Sequence, residues 1–434
     1  MRISMQKKEI LKDEFIFETT LKNGLKVYLH PKRKFVQAFA ALQIGFGGRD
    51  FRYLINNEKQ ELPKGTAHFL EHMLFENNGS TLSDFFIDQG ADINAYTSRK
   101  LTSYYFSTRD NFTNLLKRLL DNFVDYNFSE TSVKKERKII TQELSMNDDS
   151  YSVKAYKTLL KMMYKDESIY EDIGGSQKTI KEITIETLKK ATTDFYHPKN
   201  MSLVLTGNFD KDEVIAMLDV HPFVLKNWHE YREITHKTDL SDKSKHIYKR
   251  EDSALDTNIV EVGVKIPEAI FNDKSLDHNI ITNSFFSMIF SPASPLYKVL
   301  KKKKLHNFTF SASPVIEDDY GFFNISIETK KVKLFSKTIQ ELLIDLPNMK
   351  FDEKIFKAYK RADIGRAIKA FDDVKQSHSL VKRLINDGVD LYTFVEKSKN
   401  ITFDDFLVYQ NIFTKNNIYI VEYLSKPLNK KKNK

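Results

Sequence analysis

The sequence predicts an α+β protein made of two tandem homologous α+β domains, each a mixed or antiparallel sheet packed by helices. Three observations carry that expectation. The chain has 434 residues, too many for one compact core, and at about 150 residues per domain it holds two or three. Segments recur at a nearly constant offset. Ile183-Thr184 through Phe195 lines up with Ile401-Thr402 through Phe413, 218 residues later, and Phe128-Ser129-Glu130 with Phe351-Asp352-Glu353, 223 residues later. The third is order: two strands and then an amphipathic helix occur in each half.

Taken in sequence, Phe15 to Leu21 and Leu25 to His30 flank Asn23-Gly24, a strong hairpin signal, because this pair tolerates the positive φ of a two-residue turn. A third, apolar strand is expected near Val36 to Gly45. Pro63-Lys64-Gly65-Thr66 opens a helix carrying His-Phe-Leu-Glu-His, and a second helix runs from Thr81 to Gln89. A strand pair follows at Ile93–Ser98 and Thr102–Thr108. Amphipathic helices are expected at Phe112–Phe123 and Ser129–Leu144, then a helix at Thr184–Tyr196 before the strand Met201–Gly207. In the second half, Phe308–Val315 and Gly321–Thr329 form the strand pair and Val332–Leu346 the helix. The polar, charged stretch His229–Lys249 is the join.

Composition narrows the function. There is no cysteine, so disulfides and thiolate metal sites are excluded. The start, MRISMQKKEILKDEF, has no apolar core, so no signal peptide is expected. No stretch approaches 18 uncharged apolar residues, so no membrane span is expected and the cytoplasm is the default compartment. The net charge of +9 comes from scattered lysines, with dense runs only at Lys301–Lys304 and in the tail from Lys426. These read as a solvated helix face and a frayed end; nucleic-acid binding would want a basic stripe with a reading motif.

The chemistry sits in His68-Phe69-Leu70-Glu71-His72. Residues four apart lie on one helix face, so His68 and His72 can share a metal ion, while Glu71 is placed to reach a water rather than the metal. Two imidazoles and one carboxylate leave an open position on tetrahedral zinc, as hydrolysis requires. The alternative is a solvated helix face with no ligand. The order is the inverse of H-E-x-x-H. Glu136 and Glu143, seven residues or about two turns apart, share a helix face and offer a third ligand, while Val133, Ile140 and Leu144 pack.

With these motifs the chain resembles the M16 (pitrilysin/insulinase-like) zinc metallopeptidases, in the half-length subfamily whose Firmicute members work in pairs. The H-x-x-E-H helix, a Glu 71 residues after His72 and a second Glu seven before it carry the resemblance. So do Gly90 to Ser98 (GADINAYTS) and Phe195 to Met201 (FYHPKNM). The resemblance implies a LuxS/MPP-like metallohydrolase fold forming half of a clamshell. Residues 1–228 would be the catalytic zinc-binding domain, 229–248 a linker, and 249–434 an inactive M16-like domain with a basic tail. It implies one Zn2+ per chain on His68, His72 and Glu143, with Glu71 as general base and Glu136 assisting the site. Asn94, Ala95, Tyr96 and Thr97 would take the peptide substrate as an added strand.

Two departures matter. The position of Glu143 aligns in the second copy with Arg366, and no H-x-x-E-H occurs there, so that copy is inert. Many relatives also carry an Arg and, about a dozen residues later, a Tyr that grip substrate near the zinc; here Pro295 and Phe308 stand in those places. Neither can donate a hydrogen bond from its side chain. A second M16-like subunit supplying that pair is therefore expected, a heterodimer before a homodimer. The expected activity is zinc-dependent endopeptidase cleavage of short or unfolded peptides in a closed chamber, in precursor or leader processing or in peptide clearance. The alternative is a non-catalytic structural subunit of an M16-type complex.

Overall fold

The structure, a computed structural model, describes residues 5–11, 13–75, 82–241, 247–252, 257–272, 277–317, 319–386 and 391–425. Thr81, at the expected start of the second helix, and the basic tail from Lys426 lie outside the described residues.

The chain forms two units. The first comprises Met1–Ser145, Glu171–Lys237 and Arg366–Thr393; the second comprises Met146–Tyr170, Thr238–Gly365 and Phe394–Lys434. Each unit thus incorporates a segment from the other half of the sequence.

In the first unit the strands are β1 (Gln6–Leu11), β2 (Glu14–Thr20), β3 (Lys26–Pro31), β4 (Ala38–Ile44), β5 (Arg52–Ile55) and β6 (Glu58–Glu61). They continue with β7 (Asp92–Thr97), β8 (Thr102–Thr108), β9 (Met201–Gly207) and β10 (Ile234–Thr235). Seven make one sheet in the order β1-β2-β3-β9-β4-β8-β7, which leaves β7 on an edge. The Asn23-Gly24 hairpin is present, with Gly24 at φ 93°, a conformation that costs a residue with Cβ. β4 is buried at every position, as a central strand covered on both faces must be. A small sheet, β10-β5-β6, turns at Asn56 and Asn57, both with positive φ.

Helices cover the large sheet. α1 (Thr66–Phe75) buries Phe69, Leu70, Met73 and Leu74. α2 (Leu82–Asp88) buries Leu82 and Phe86, and α3 (Phe112–Asp121) buries Leu115, Leu116, Leu119 and Leu120. In α4 (Glu130–Asp149) Val133, Ile140 and Leu144 are buried on one stripe, as their spacing predicts. The other broad face of β4 and β9 is covered by the Val374–Asn386 helix from the far end of the chain, where His378 stacks on Phe39 at 5.5 Å.

The second unit holds β11 (Ile247–Asp252), β12 (Ile259–Lys265), β13 (Ser311–Ile316), β14 (Gly321–Glu328) and β15 (Ile418–Ser425), in the order β11-β15-β12-β14-β13. Here β11 and β15 are parallel and the remaining pairs antiparallel. The strands β3-β9-β4-β8-β7 have the same order and the same directions. That identity of topology is the duplication expected from the offsets. The Tyr151–Met163 helix packs on β12 and β15, as Val374–Asn386 packs on β4 and β9. Gly263 admits Met163 so closely that an added Cβ would lie 2.6 Å from its sulfur. Pro295 occupies the first turn of the Pro295–Lys302 helix, where its missing N–H costs nothing, and Ser294 caps that helix; Phe308 is 99% exposed.

Candidate metal centre and peptide-binding edge

The local sequence explains why three ligands meet. α1 pins its apolar side into the core, which leaves His68 and His72 on its other side; their rings stand 4.7 Å apart. α4 is held by its own apolar stripe with Glu136 and Glu143 turned toward α1. His68 Nε2 lies 3.8 Å from Glu143 Oε1, and His72 Nε2 lies 3.5 Å from Glu143 Oε2. One ligand atom from each of His68, His72 and Glu143 falls within 4.8 Å of the other two. Among the described residues this is the one group of His, Asp and Glu so placed. Ligands 2.0–2.2 Å from one tetrahedral ion stand about 3.3–3.6 Å apart, close to the 3.5 and 3.8 Å His–Glu separations here.

The surrounding groups fit a cation. Glu136 is buried, and its Oε2 lies 3.4 Å from His72 Nδ1, the ring nitrogen that faces away from Glu143. A carboxylate behind a ligating imidazole fixes its orientation and raises its basicity. His68 Nδ1 is buried without a hydrogen-bond partner, close to the backbone at Gly174. Burial and the neighbouring His72 hold the His68 pKa below its ordinary value, against Glu143 and Asp172. For His72 burial works the same way, but Glu136, Glu71 and Glu143 outweigh it and raise its pKa. Three acidic groups around two imidazoles make a site short of positive charge.

Glu71 stands apart from the three. It is buried, and its Oε2 accepts a 2.6 Å hydrogen bond from Thr97 Oγ1 on β7. Burial raises its pKa; the Thr97 hydroxyl and His72 oppose this, and Glu143 adds to it. A carboxyl raised in this way is a better proton acceptor than a solvated one. Thr97 Oγ1 lies 3.3 Å from Thr102 Oγ1, whose own proton goes to the Phe46 carbonyl at 2.8 Å.

The five acidic and imidazole side chains line a cleft of about 550 Å³ with Asn94, Ala95, Tyr96 and Thr97 along one side and Phe75 and Ile139 as apolar wall. That volume is within the 300–1,000 Å³ range of small-ligand sites. The nine residues expected to bind metal, act as base or support, or take the peptide all line this one cleft. Because β7 is an edge, its outer backbone groups are open to a further strand. At one of them Asn94 Oδ1 accepts from the Ala95 N–H at 2.8 Å, exposed to solvent. Sequence reasoning missed the side-chain role of Thr97, since nothing local tells a Thr in an edge strand that it faces a helix Glu. It also missed Lys382, whose Nζ lies 5.3 Å from the Tyr96 ring centroid.

Residues 37–176 match the insulinase (peptidase family M16) pattern and residues 182–362 the peptidase M16 inactive-domain pattern. The uncharacterized zinc protease YmfH of Bacillus subtilis is 30% identical over 404 residues, spanning 90% of this chain and 92% of that one. The chain belongs to the M16 peptidase family. Among solved structures, a putative M16-like peptidase from Alicyclobacillus acidocaldarius superposes with a TM-score of 0.83 at 23% identity, covering 98% of this chain and 100% of that one. The periplasmic protease PqqL from Escherichia coli superposes with a TM-score of 0.72 at 18% identity, covering 97% of this chain and 48% of PqqL. The expected two tandem M16 domains are thus both present.

Proposed function

We propose that this M16 chain is a zinc-dependent endopeptidase acting on short or unfolded peptides. In this reading His68, His72 and Glu143 hold one zinc ion and Glu71 is the general base. The observation that carries it is the convergence of those three ligands, with Glu71 between them and an open strand edge. A zinc ion held there supplies a Lewis acid for a peptide carbonyl. The protein's own groups do the rest. The peptide adds to β7 as a strand, and its backbone takes the place of the Asn94 amide oxygen at the Ala95 N–H. Glu71 takes a proton from the attacking water and passes it to the leaving amine, while Thr97 keeps its carboxylate aimed. Glu136 holds His72 in ligating orientation.

A second M16-like subunit, a heterodimer partner before a second copy, completes the working enzyme in this reading. Pro295 and Phe308 offer no side-chain donor, and the chain matches about half of PqqL. The compartment would be the cytoplasm and the task precursor or leader processing, or peptide clearance. The experiment is zinc content by elemental analysis together with peptide cleavage, for the chain alone and mixed with a candidate partner. Wild type should carry one zinc and cleave; Glu71→Gln should keep the zinc and lose cleavage. Cleavage retained by Glu71→Gln would remove the assigned base. Full activity of the unmixed monomer would remove the partner.

A further inference from the structure

The outer face of β7 carries a cation that the proposed chemistry does not use. Side chains alternate along a strand, so with Thr97 turned to Glu71, Tyr96 points to the opposite face. There its ring meets Tyr105 at 6.0 Å between centroids, and Lys382 lies over both, 5.3 Å from each centroid. Lys382 belongs to the Val374–Asn386 helix, within the first unit.

The ammonium is held by two aromatic faces, which attract it without neutralising it. Among the described residues no carboxylate pairs with it, and it is half-buried. Burial alone lowers its pKa, which is the cost of a charge kept from water. Its sequence neighbour Arg383 is exposed, and His378, one turn back, is fully buried with its pKa pushed down to about 3, so it stays neutral. A half-buried cation without a counter-charge is costly to maintain for structure alone.

We propose that Lys382 is a specificity residue that recognises an acidic side chain, Asp or Glu, in the peptide added to β7. This rests on the strand-addition reading above. A strand beside β7 lies about 4.8 Å away with the same alternation, so every second side chain projects onto the Tyr96 face. A carboxylate there comes within salt-bridge reach of an ammonium already lying over the edge. The Tyr96 ring, 38% exposed, forms the floor on which that side chain rests. The selected residue faces away from Glu71, so its charge adds no repulsion to the three carboxylates at the metal site.

The test uses the full zinc-loaded chain and short labelled peptides, identical except that Glu, Gln or Lys is walked through each position. Binding is read by fluorescence anisotropy on the Glu71→Gln background, and cleavage on the native background. Wild type should bind the Glu peptide about tenfold more tightly than the Gln peptide at one position. Lys382→Arg should keep that preference, Lys382→Met should abolish it, and Lys382→Glu should transfer it to the Lys peptide. An equal loss on all three peptides would mean that Lys382 only supports Tyr96, and would overturn the proposal. Wild-type binding indifferent to charge at every position would do the same. Failure of every peptide to bind would instead overturn strand addition itself.

Discussion

Glu136→Gln separates orientation from ligation at the proposed metal centre. Glu136 is almost wholly inside the protein, and its Oε2 faces His72 Nδ1 at 3.4 Å. The substitution keeps the shape and removes one charge. At an effective dielectric of about 20, a full charge pair at that distance is worth about 5 kcal/mol. A ligating imidazole carries only part of a positive charge, and the carboxylate's own desolvation offsets much of the remainder. What survives is the 10–100-fold loss of affinity typical of removing a carboxylate behind a metal-bound His, about 1.4–2.8 kcal/mol. The assay is competition for zinc against a chromophoric chelator, with circular dichroism to show that α4 is intact. Glu143→Gln, which removes a proposed ligand, should lose more. Equal zinc affinity in Glu136→Gln and wild type would refute the orienting role. A larger loss than in Glu143→Gln would make Glu136 the ligand and Glu143 the support.

Thr97→Val is isosteric and deletes the 2.6 Å bond to Glu71. A charge-assisted bond of about 1.5–3 kcal/mol predicts a fall of about 10–100-fold in kcat with zinc content unchanged. Since Thr97 lowers the Glu71 pKa, the acid limb of kcat/KM should move to higher pH. His378, pushed down to about 3 by burial, stays neutral when folded, whereas the unfolded chain protonates near 6.5. Its contribution to stability is therefore complete above pH 6.5 and is lost as pH falls toward 3, about 2 kcal/mol of it by pH 5; His378→Phe should flatten that part of a urea-midpoint profile. Lys32 donates to Glu14 at 2.8 Å and to the Phe371 carbonyl at 2.7 Å, so Lys32→Met, which strips the buried Phe371 carbonyl of its donor and leaves the half-buried Glu14 without its ammonium, should cost about 1–3 kcal/mol in chemical denaturation.

The elements with strong local chemistry were legible in the sequence. Asn23-Gly24, the apolar run of β4, the α1 motif and the stripe of α4 each state their conformation within a few residues. β1 escaped because Gln6-Lys-Lys-Glu reads as polar; an edge strand with one partner needs little burial. The β5–β6 hairpin escaped although Asn56-Asn57 is a turn signal, because its strands are only four residues long. For the site, helical spacing put two His on one face and two Glu on another. The contacts of Thr97 with Glu71 and of Lys382 with Tyr96 depend on how distant segments pack, and no local spacing encodes those.

The least legible feature also bears most on why both copies persist. The second half has no H-x-x-E-H of its own, yet it contributes the helix that closes the face of β4 and β9 in the first unit. That helix brings His378 to Thr206 at 3.2 Å and Lys382 to Tyr96 and Tyr105, behind the edge strand. In return, Tyr151–Met163 from the first half fills the corresponding face of β12 and β15 with Leu159, Leu160 and Met163. A sheet with one broad apolar face bare is neither soluble nor stable. Neither repeat can therefore be shed once the exchange exists, even when its chemistry is gone. The copy without H-x-x-E-H is kept by packing, and through Lys382 it reaches Tyr96 on the edge strand.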